Sequence, residues 1–145
     1  MRLTREEQVV RAVCTEHYDS DSGRISPSLY EGKETSVSRL AVIPLAGQWP
    51  TLAATVQKLP GRRLEKLGEL GVGQIEDIGA NYTQNGNQAA VTLTVVNDQT
   101  PQNPAHAIIP EKITKGLSRV LRQATVIHDP PAGFDPERIP RAVPA

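Results

Sequence analysis

Residues Gln74 to Val96 read QIEDIGANYTQNGNQAAVTLTVV and carry the strongest signal for the fold. The pair Asn85-Gly86 tolerates the positive φ values that a two-residue type I′ turn requires. Apolar residues then alternate along the following segment, at Val91, Leu93 and Val95. Such alternation is typical of an antiparallel strand with one covered face. The stretch therefore predicts a β-hairpin with strands Gln74–Thr83 and Asn87–Val96.

Two amphipathic helices are predicted on either side of this hairpin in the sequence. The first begins at Thr4, which forms a capping-box pattern with Glu7, and ends near Tyr18. Its inward face at helical spacing consists of Val9, Val10, Val13, Cys14 and His17. The second begins at Pro110 or Glu111 and ends near Thr125, because proline and an acidic residue both suit a helix start.

Shorter elements are predicted between these segments. The β-branched run Val37–Ile43 favours a strand, Pro50 starts a helix that reaches Leu59, and Arg62–Leu70 forms another short helix. Together they predict an α+β fold, in which a small antiparallel sheet with a central hairpin is covered on one face by two or more helices. We assign residues 1–128 to this single domain and residues 129–145 to a proline-rich C-terminal tail.

Composition narrows the function classes. Sixteen basic and sixteen acidic residues cancel in a chain of 145, so no global field attracts a polyanion or an anionic membrane. The single cysteine, Cys14, excludes an internal disulfide framework and suits a reducing compartment, so we expect a cytoplasmic protein. No segment reaches the length of a membrane span and the first residues lack the apolar run of a secretion signal, so no membrane partner is expected.

The run Asn103-Pro104-Ala105-His106 lies shortly before the predicted C-terminal helix. Pro104 disfavours a helical conformation for Asn103, so the run is a shaped loop. We expect Asn103 and His106 to organise this loop through hydrogen bonds to backbone groups. In the alternative, the protein is a small enzyme or toxin in which His106 is a general acid or base. Catalysis then needs a second group, and its candidates are Glu111, Asp98 and His17.

A basic stripe follows one face of the C-terminal helix, at Lys112, Lys115, Arg119 and Arg122. A solvated helix face is the plainest interpretation of such a pattern, but the stripe is also suited to an acidic surface. We expect a non-enzymatic accessory or adaptor protein that binds an acidic protein partner through these residues. A nucleic-acid-binding module is a further alternative because the cations can follow a phosphate backbone, although few aromatic residues are present for stacking.

Cys14 and His17 are three residues apart, and one interpretation is a thiolate with its base. The valines predicted on the same face favour two packed, structural residues instead. The histidines at 17, 106 and 128 show neither HxH nor HExxH spacing, so we predict no metal ion and no cofactor.

Two blocks of the sequence resemble a loosely defined set of small, uncharacterised bacterial proteins. The first block comprises Tyr18–Ser26 and continues through Glu34–Leu40, and the second is Pro101–Ala124. The second block contains the Asn-Pro-Ala-His run followed by a basic C-terminal helix, as the proteins of that set do. The resemblance implies a bacterial or mobile-element context and assigns no activity and no catalytic residue.

Overall fold

A computed structural model describes residues 1–57 and 61–136 of the chain. Its helices are α1 (Leu45–Val56), α2 (Val72–Ala80) and α3 (Lys115–Ala124), with a 3₁₀ turn at Thr15–His17. Its strands are β1 (Gln8–Cys14), β2 (Tyr18–Asp19), β3 (Arg24–Ile25), β4 (Thr35–Arg39), β5 (Leu64–Gly71), β6 (Thr83–Gln84), β7 (Asn87–Gln88), β8 (Val96–Asn97), β9 (His106–Ile109) and β10 (Val126–His128).

The fold is α+β, as predicted from the sequence. Its main sheet has six strands in the order β10-β5-β1-β4-β9-β8, and every neighbouring pair is antiparallel. Two small two-stranded sheets accompany it, β2 with β3 and β6 with β7. The Asn85-Gly86 hairpin joins β6 to β7 and is therefore not the centre of the main sheet, which is a correction to the predicted architecture.

Helices cover both faces of the main sheet. Val9 and Val13 of β1 share a core cluster with Ile75 of α2 and Leu117 of α3. Val10, which points to the opposite face of the strand, packs in a second cluster that includes residues of α1. The predicted covering of one face by two or more helices thus corresponds to α2 and α3, while α1 covers part of the other face.

The N-terminal segment is a strand, so the predicted helix from Thr4 to Tyr18 is wrong. Because both faces of β1 are covered, its valines do not follow the simple alternation that distinguishes a strand from a helix. Glu7 does not complete a capping box. Its carboxylate instead accepts hydrogen bonds from Nε and Nη2 of Arg39, at 2.8 and 3.0 Å, which ties the start of β1 to the end of β4.

Between residues 62 and 83 the predicted helix is a strand, and most of the predicted strand is a helix. The predicted helix Arg62–Leu70 is strand β5, because Leu67 and Leu70 lie in the clusters on opposite faces of the sheet. Most of the predicted strand Gln74–Thr83 belongs to helix α2, which ends at Ala80. The Gly71 amide donates to Oε1 of Gln74 at 2.9 Å, and this hydrogen bond caps the first turn of the helix.

The Asn85-Gly86 turn itself is confirmed. Asn85 has φ of 53° and Gly86 has φ of 77°, the left-handed pair that a type I′ turn needs. The predicted strand Asn87–Val96 is wrong as a continuous element, because β7 ends at Gln88 and β8 begins at Val96. The irregular segment between them buries Leu93 and Val95. A Cβ atom on Gly79 would lie 2.5 Å from the Val91 carbonyl oxygen. Glycine at this position therefore permits the close approach of α2 to the backbone at Val91.

Several element boundaries differ from the predicted ones. Strand β4 ends at Arg39 and not at Ile43, because the buried Gln48 amide donates to the carbonyl oxygens of both residues and turns the chain. Helix α1 begins at Leu45, five positions before the predicted start at Pro50. Its predicted end near Leu59 lies outside the described residues.

The C-terminal helix starts later than predicted, at Lys115. Thr114 caps it by accepting a hydrogen bond from the Leu117 amide at 3.3 Å. Glu111 lies upstream of the helix, where its carboxylate accepts hydrogen bonds from the amide and hydroxyl of Thr94. Leu117 and Leu121 face the core as the sequence pattern predicts.

The predicted proline-rich tail is described as far as residue 136. In this part the Phe134 ring lies 5.4 Å from the Trp49 ring of α1, and Asp129 pairs with Lys66 of β5. The remaining residues of the predicted tail, 137–145, lie outside the described residues.

Candidate active site

His106 of β9 is fixed at both ring nitrogens. Its Nδ1 lies 2.8 Å from the Asp98 carbonyl oxygen and 3.1 Å from Oδ2 of the same residue. Its Nε2 lies 3.1 Å from the Ser36 hydroxyl of β4. Of the three sequence-predicted partners of His106, Asp98 is the one in contact, whereas Glu111 binds Thr94 and His17 makes no hydrogen bond to His106.

These contacts determine the tautomer of neutral His106. A carbonyl oxygen and a carboxylate oxygen can only accept hydrogen bonds, so Nδ1 must carry a proton to bind either. The Nε2 atom of the neutral ring is then an acceptor, and Ser36 donates its hydroxyl proton to it. A serine, a histidine and an aspartate in this order form the arrangement in which histidine activates a serine nucleophile.

The strand register places Ser36 beside His106. Ser38 lies opposite His106 and Ser36 lies opposite Ile108 in the antiparallel pair of β4 and β9. Residues two apart on a strand share a face, so the Ser36 and His106 side chains are diagonal neighbours on one face of the sheet. The backbone positions the third residue, since the Asp98 amide donates to the His106 carbonyl oxygen at 3.0 Å.

Asn103, in the loop before β9, is buried. Its Oδ1 accepts a hydrogen bond from the Ala105 amide at 2.9 Å, and its Nδ2 donates to the Ser38 hydroxyl at 3.1 Å. The Ser38 hydroxyl in turn donates to Oε1 of the buried Gln48 at 2.5 Å. A buried polar network thus joins the loop before β9 to β4 and to α1.

A cavity of about 380 Å³ lies next to Ser36 and His106. Its size falls in the range of small-molecule sites. One wall comes from the C-terminal half of α1, a second from the Thr100–Asn103 loop, and a third from β1 and β4. The aliphatic part of the lining consists of Val10, Ala12, Val37, Leu52 and Val56. Ser36 and His106 therefore border a partly apolar cavity.

Arg11 supplies a cation to the same cavity. Strand β1 pairs with β4 at Val9 and Val10. Arg11 is the next residue of β1, and its Nη1 donates to the Ser36 carbonyl oxygen at 3.0 Å. Its Nε donates to the Leu29 carbonyl oxygen at 3.0 Å. Neither acceptor is charged, and Arg11 forms no ion pair with a residue that the structure describes. Burial lowers the pKa of Arg11, because desolvation opposes the charged form.

The cavity lining also contains an ion pair between Arg62 and Glu16. Nη2 of Arg62 lies 3.1 Å from a carboxylate oxygen of Glu16, and the His17 ring lies 3.9 Å from the other oxygen. Burial lowers the pKa of His17. Since Glu16 offsets Arg62, Arg11 is the cation of the cavity wall without a carboxylate partner in the described chain.

Cys14 lines the cavity but its thiol is poorly suited to nucleophilic chemistry. Cys14 is buried, and burial raises the pKa of its thiol, which opposes formation of the reactive thiolate. Cys14 lies on β1 and His17 lies on the 3₁₀ turn, so the prediction that they share a helix face is wrong. No hydrogen bond joins them within the described residues.

The sequence-predicted basic stripe lies apart from this cavity, on and just before α3. Lys112, Lys115 and Arg119 are exposed, whereas Arg122 is partly buried and its Nε atom has no hydrogen-bond partner. None of the four forms an ion pair with another described residue. Lys112 precedes the helix, so the stripe begins in the connecting segment.

Ser36 and Arg11 are not among the functional residues predicted from the sequence. No local motif marks Ser36, because its relation to His106 follows from the register of strands that are 70 positions apart in the sequence. Arg11 lies outside the predicted inward face of the N-terminal helix, and only the strand conformation of Gln8–Cys14 brings it to the cavity. Of the residues that contact the His106 ring, Asp98 is the one that the sequence predicted as a partner.

Comparisons with protein-family models, curated proteins and solved structures find no match for this chain. Within the described ranges 1–57 and 61–136, no group of three or more histidine, cysteine, aspartate or glutamate residues is arranged to hold a metal ion. No helix in the same part of the chain is long and apolar enough to cross a membrane.

Proposed function

We propose that this protein is a small serine hydrolase that cleaves an ester of a carboxylic acid in the cavity beside Ser36. One observation carries the proposal: the Ser36 hydroxyl donates to Nε2 of His106 at 3.1 Å while Asp98 holds the opposite ring nitrogen. This is the alternative in which His106 is a general acid and base, and Asp98 is its partner.

In the first step Ser36 Oγ bonds to the ester carbonyl carbon, and its proton passes to Nε2 of His106. The carbonyl π electrons move to the oxygen and return as the bond to the leaving alkoxide breaks, and His106 gives its proton to that alkoxide. In the second step water attacks the acyl-Ser36 carbonyl and His106 takes the water proton. The released Ser36 oxygen recovers that proton, so the balance is ester and water to acid and alcohol.

The surroundings of Ser36 support this chemistry. The cavity offers an aliphatic wall for an acyl chain, and the Arg11 guanidinium, which donates to the Ser36 carbonyl oxygen, adds a positive charge to the cavity lining. Positive groups near a carbonyl that gains negative charge lower the barrier to its attack. A purely structural contact between a serine and a histidine on neighbouring strands requires neither an adjacent aliphatic cavity nor a guanidinium group in its lining.

The proposal is tested by hydrolysis of p-nitrophenyl butyrate, followed by the absorbance of released p-nitrophenolate. We expect turnover by the wild type that is absent in Ser36→Ala and reduced about 100-fold or more in His106→Gln, the usual size of a general-base contribution. His128→Gln is the matched control, since His128 also contacts a carboxylate, Glu69 at 2.8 Å, but lies on β10. Equal rates in wild type and Ser36→Ala would contradict the proposal.

A second candidate function is binding of an acidic protein partner through the basic stripe. The supporting observation is that Lys112, Lys115 and Arg119 are exposed and that these cations have no ion pair with a described residue. Surface cations without a partner on their own chain are available to a partner's carboxylates. In this proposal the protein is a non-enzymatic adaptor, and α3 keeps its apolar face on the sheet.

The stripe is tested by reversing Lys115 and Arg119 to glutamate. We expect loss of partner capture with little change in the melting temperature, because both side chains are exposed. Reversal of Lys33 and Arg24, two other exposed cations, is the matched control. Unchanged capture would contradict the role of the stripe, and a steep linear fall of log affinity with log salt would assign the surface to nucleic acid instead.

For either function we propose a cytoplasmic location, because Cys14 is the only cysteine of the chain and a lone thiol suits a reducing compartment. The bacterial context implied by the Asn-Pro-Ala-His run and the basic helix is likewise a proposal.

A further inference from the structure

We infer that the cavity recognises a small aliphatic carboxylate, with the anionic group at Arg11 and the hydrocarbon chain along the α1 wall. The inference rests on the proposed hydrolase function in identifying this ligand as the acyl product released beside Ser36. Arg11 selects the charged end of this ligand, and the α1 wall accommodates its hydrocarbon chain.

Charge balance is the first argument. The charged groups that line the cavity are Arg11, Arg62, Glu16 and the titratable histidines. Glu16 lies 3.1 Å from Arg62 and offsets its charge. Arg11 binds only backbone carbonyl oxygens, those of Leu29 and Ser36. A partly buried cation with no carboxylate partner is costly unless an anion approaches it, so the cavity is suited to a ligand with one negative charge.

The geometry of Arg11 is the second argument. The two backbone contacts use Nε and Nη1 and fix the plane of the guanidinium group. The described residues provide no hydrogen-bond acceptor for Nη2, and Arg11 borders the cavity. A guanidinium held in this way can donate to a carboxylate with little further loss of side-chain entropy. Because Nη1 also binds the Ser36 carbonyl oxygen, the guanidinium lies next to the Ser36 backbone.

The third argument is the composition of the remaining wall. Val10, Ala12, Leu52 and Val56 present aliphatic groups along the cavity, and Leu52 and Val56 both belong to α1. The cavity volume of about 380 Å³ is at the small end of ligand sites. An unbranched chain of several methylenes attached to a single carboxylate matches this division into a charged end and an apolar wall.

The test measures binding of butyrate, hexanoate and hexanol to the full chain by isothermal titration calorimetry. We expect hexanoate to bind the wild type more tightly than butyrate does, by about fourfold per added methylene. Hexanol lacks the charge and should bind about tenfold more weakly or worse. Equal binding of hexanol and hexanoate, or no binding of either, would overturn the inference.

Variants identify the cation. Arg11→Gln should weaken hexanoate binding about tenfold or more, whereas Arg24→Gln, outside the cavity, should leave it unchanged. Because Arg11 also binds two backbone carbonyl oxygens, Ala12→Leu provides a second variant that narrows the cavity without removing a hydrogen bond. It should weaken hexanoate more than butyrate. Retained hexanoate binding in folded Arg11→Gln, or equal effects of Ala12→Leu on both acids, would contradict the assignment.

The two proposals fail in different ways. Hexanoate binding that depends on Arg11, without any ester hydrolysis, would leave the carboxylate site in place and remove the hydrolase. Ester hydrolysis that depends on Ser36, without selective carboxylate binding, would keep the hydrolase and overturn the inference about its acyl group.

Discussion

His106 and Asp98 hold each other through two hydrogen bonds in opposite directions. Nδ1 of His106 donates to the Asp98 carbonyl oxygen at 2.8 Å, and the Asp98 amide donates to the His106 carbonyl oxygen at 3.0 Å. Because the carbonyl oxygen accepts only, Nε2 of neutral His106 is left as the acceptor that faces Ser36. The backbone therefore sets the protonation pattern of the ring, and the Asp98 carboxylate at 3.1 Å reinforces it.

Replacing His106 separates a catalytic role from a structural one. His106→Gln can keep one hydrogen bond but cannot transfer a proton at neutral pH, so hydrolysis should fall while stability changes by about 1 kcal/mol or less. Urea denaturation measures the free energy of unfolding alongside the ester assay. A loss of stability large enough to unfold the variant, or full activity in it, would favour the loop-organising role expected from the sequence.

Asn103→Ala should destabilise the protein by about 2 kcal/mol. The substitution leaves the buried Ala105 amide without its acceptor, and one unsatisfied buried group costs about 1–3 kcal/mol. The Ser38 hydroxyl loses the Asn103 donor but keeps its hydrogen bond to Gln48. Urea denaturation of Asn103→Ala and of the exposed control Asn87→Ala gives the comparison. Equal unfolding free energies for the two variants would show that the Asn103 network contributes no stability.

The Cys14 thiol should react slowly with iodoacetamide in the folded protein. Cys14 is buried and burial raises the pKa of its thiol, so both access and the thiolate fraction are reduced. Mass spectrometry of timed samples measures the alkylated fraction, and the same protein in denaturing urea provides the fully reactive reference. Rapid alkylation under folding conditions would mean that Cys14 is accessible and reactive.

Stability should fall as the pH decreases from about 7 to 5, in part through His17. Burial lowers the pKa of His17 in the folded state, while an unfolded histidine titrates near 6.5. Below that value the unfolded chain binds a proton that the folded chain accepts less readily, so acid favours unfolding. Unfolding free energies of wild type and His17→Asn across this range measure the contribution. Identical pH slopes in the two proteins would refute it.

The α+β class and two local elements were predictable from the sequence, but the type of the two central strands was not. The Asn85-Gly86 turn and the amphipathic C-terminal helix depend on local chemistry, and both are present. Residues 8–14 and 64–71 are strands buried on both faces, so their apolar spacing does not follow the period of a half-exposed strand. Glu7 imitates a helix cap, yet its actual partner is Arg39, a long-range contact that no local pattern contains.

The candidate site was predictable only in part for the same reason. His106 was marked by its unusual setting, and Asp98 was near enough in sequence to be considered. Ser36 and Arg11 reach the site through strand pairing and through the separation of β1 from β4 beyond Val10. Such relations depend on register, which is a property of the assembled sheet.

The most direct test of the serine hydrolase is labelling with a fluorophosphonate, which forms a stable phosphonyl bond to an activated serine and releases fluoride. We predict one adduct per chain, located on Ser36 by peptide mass spectrometry, absent in Ser36→Ala and greatly slowed in His106→Gln. His128→Gln should label at the wild-type rate. A folded wild-type protein that takes up no label, or one that labels equally fast when His106 is replaced, would contradict the account.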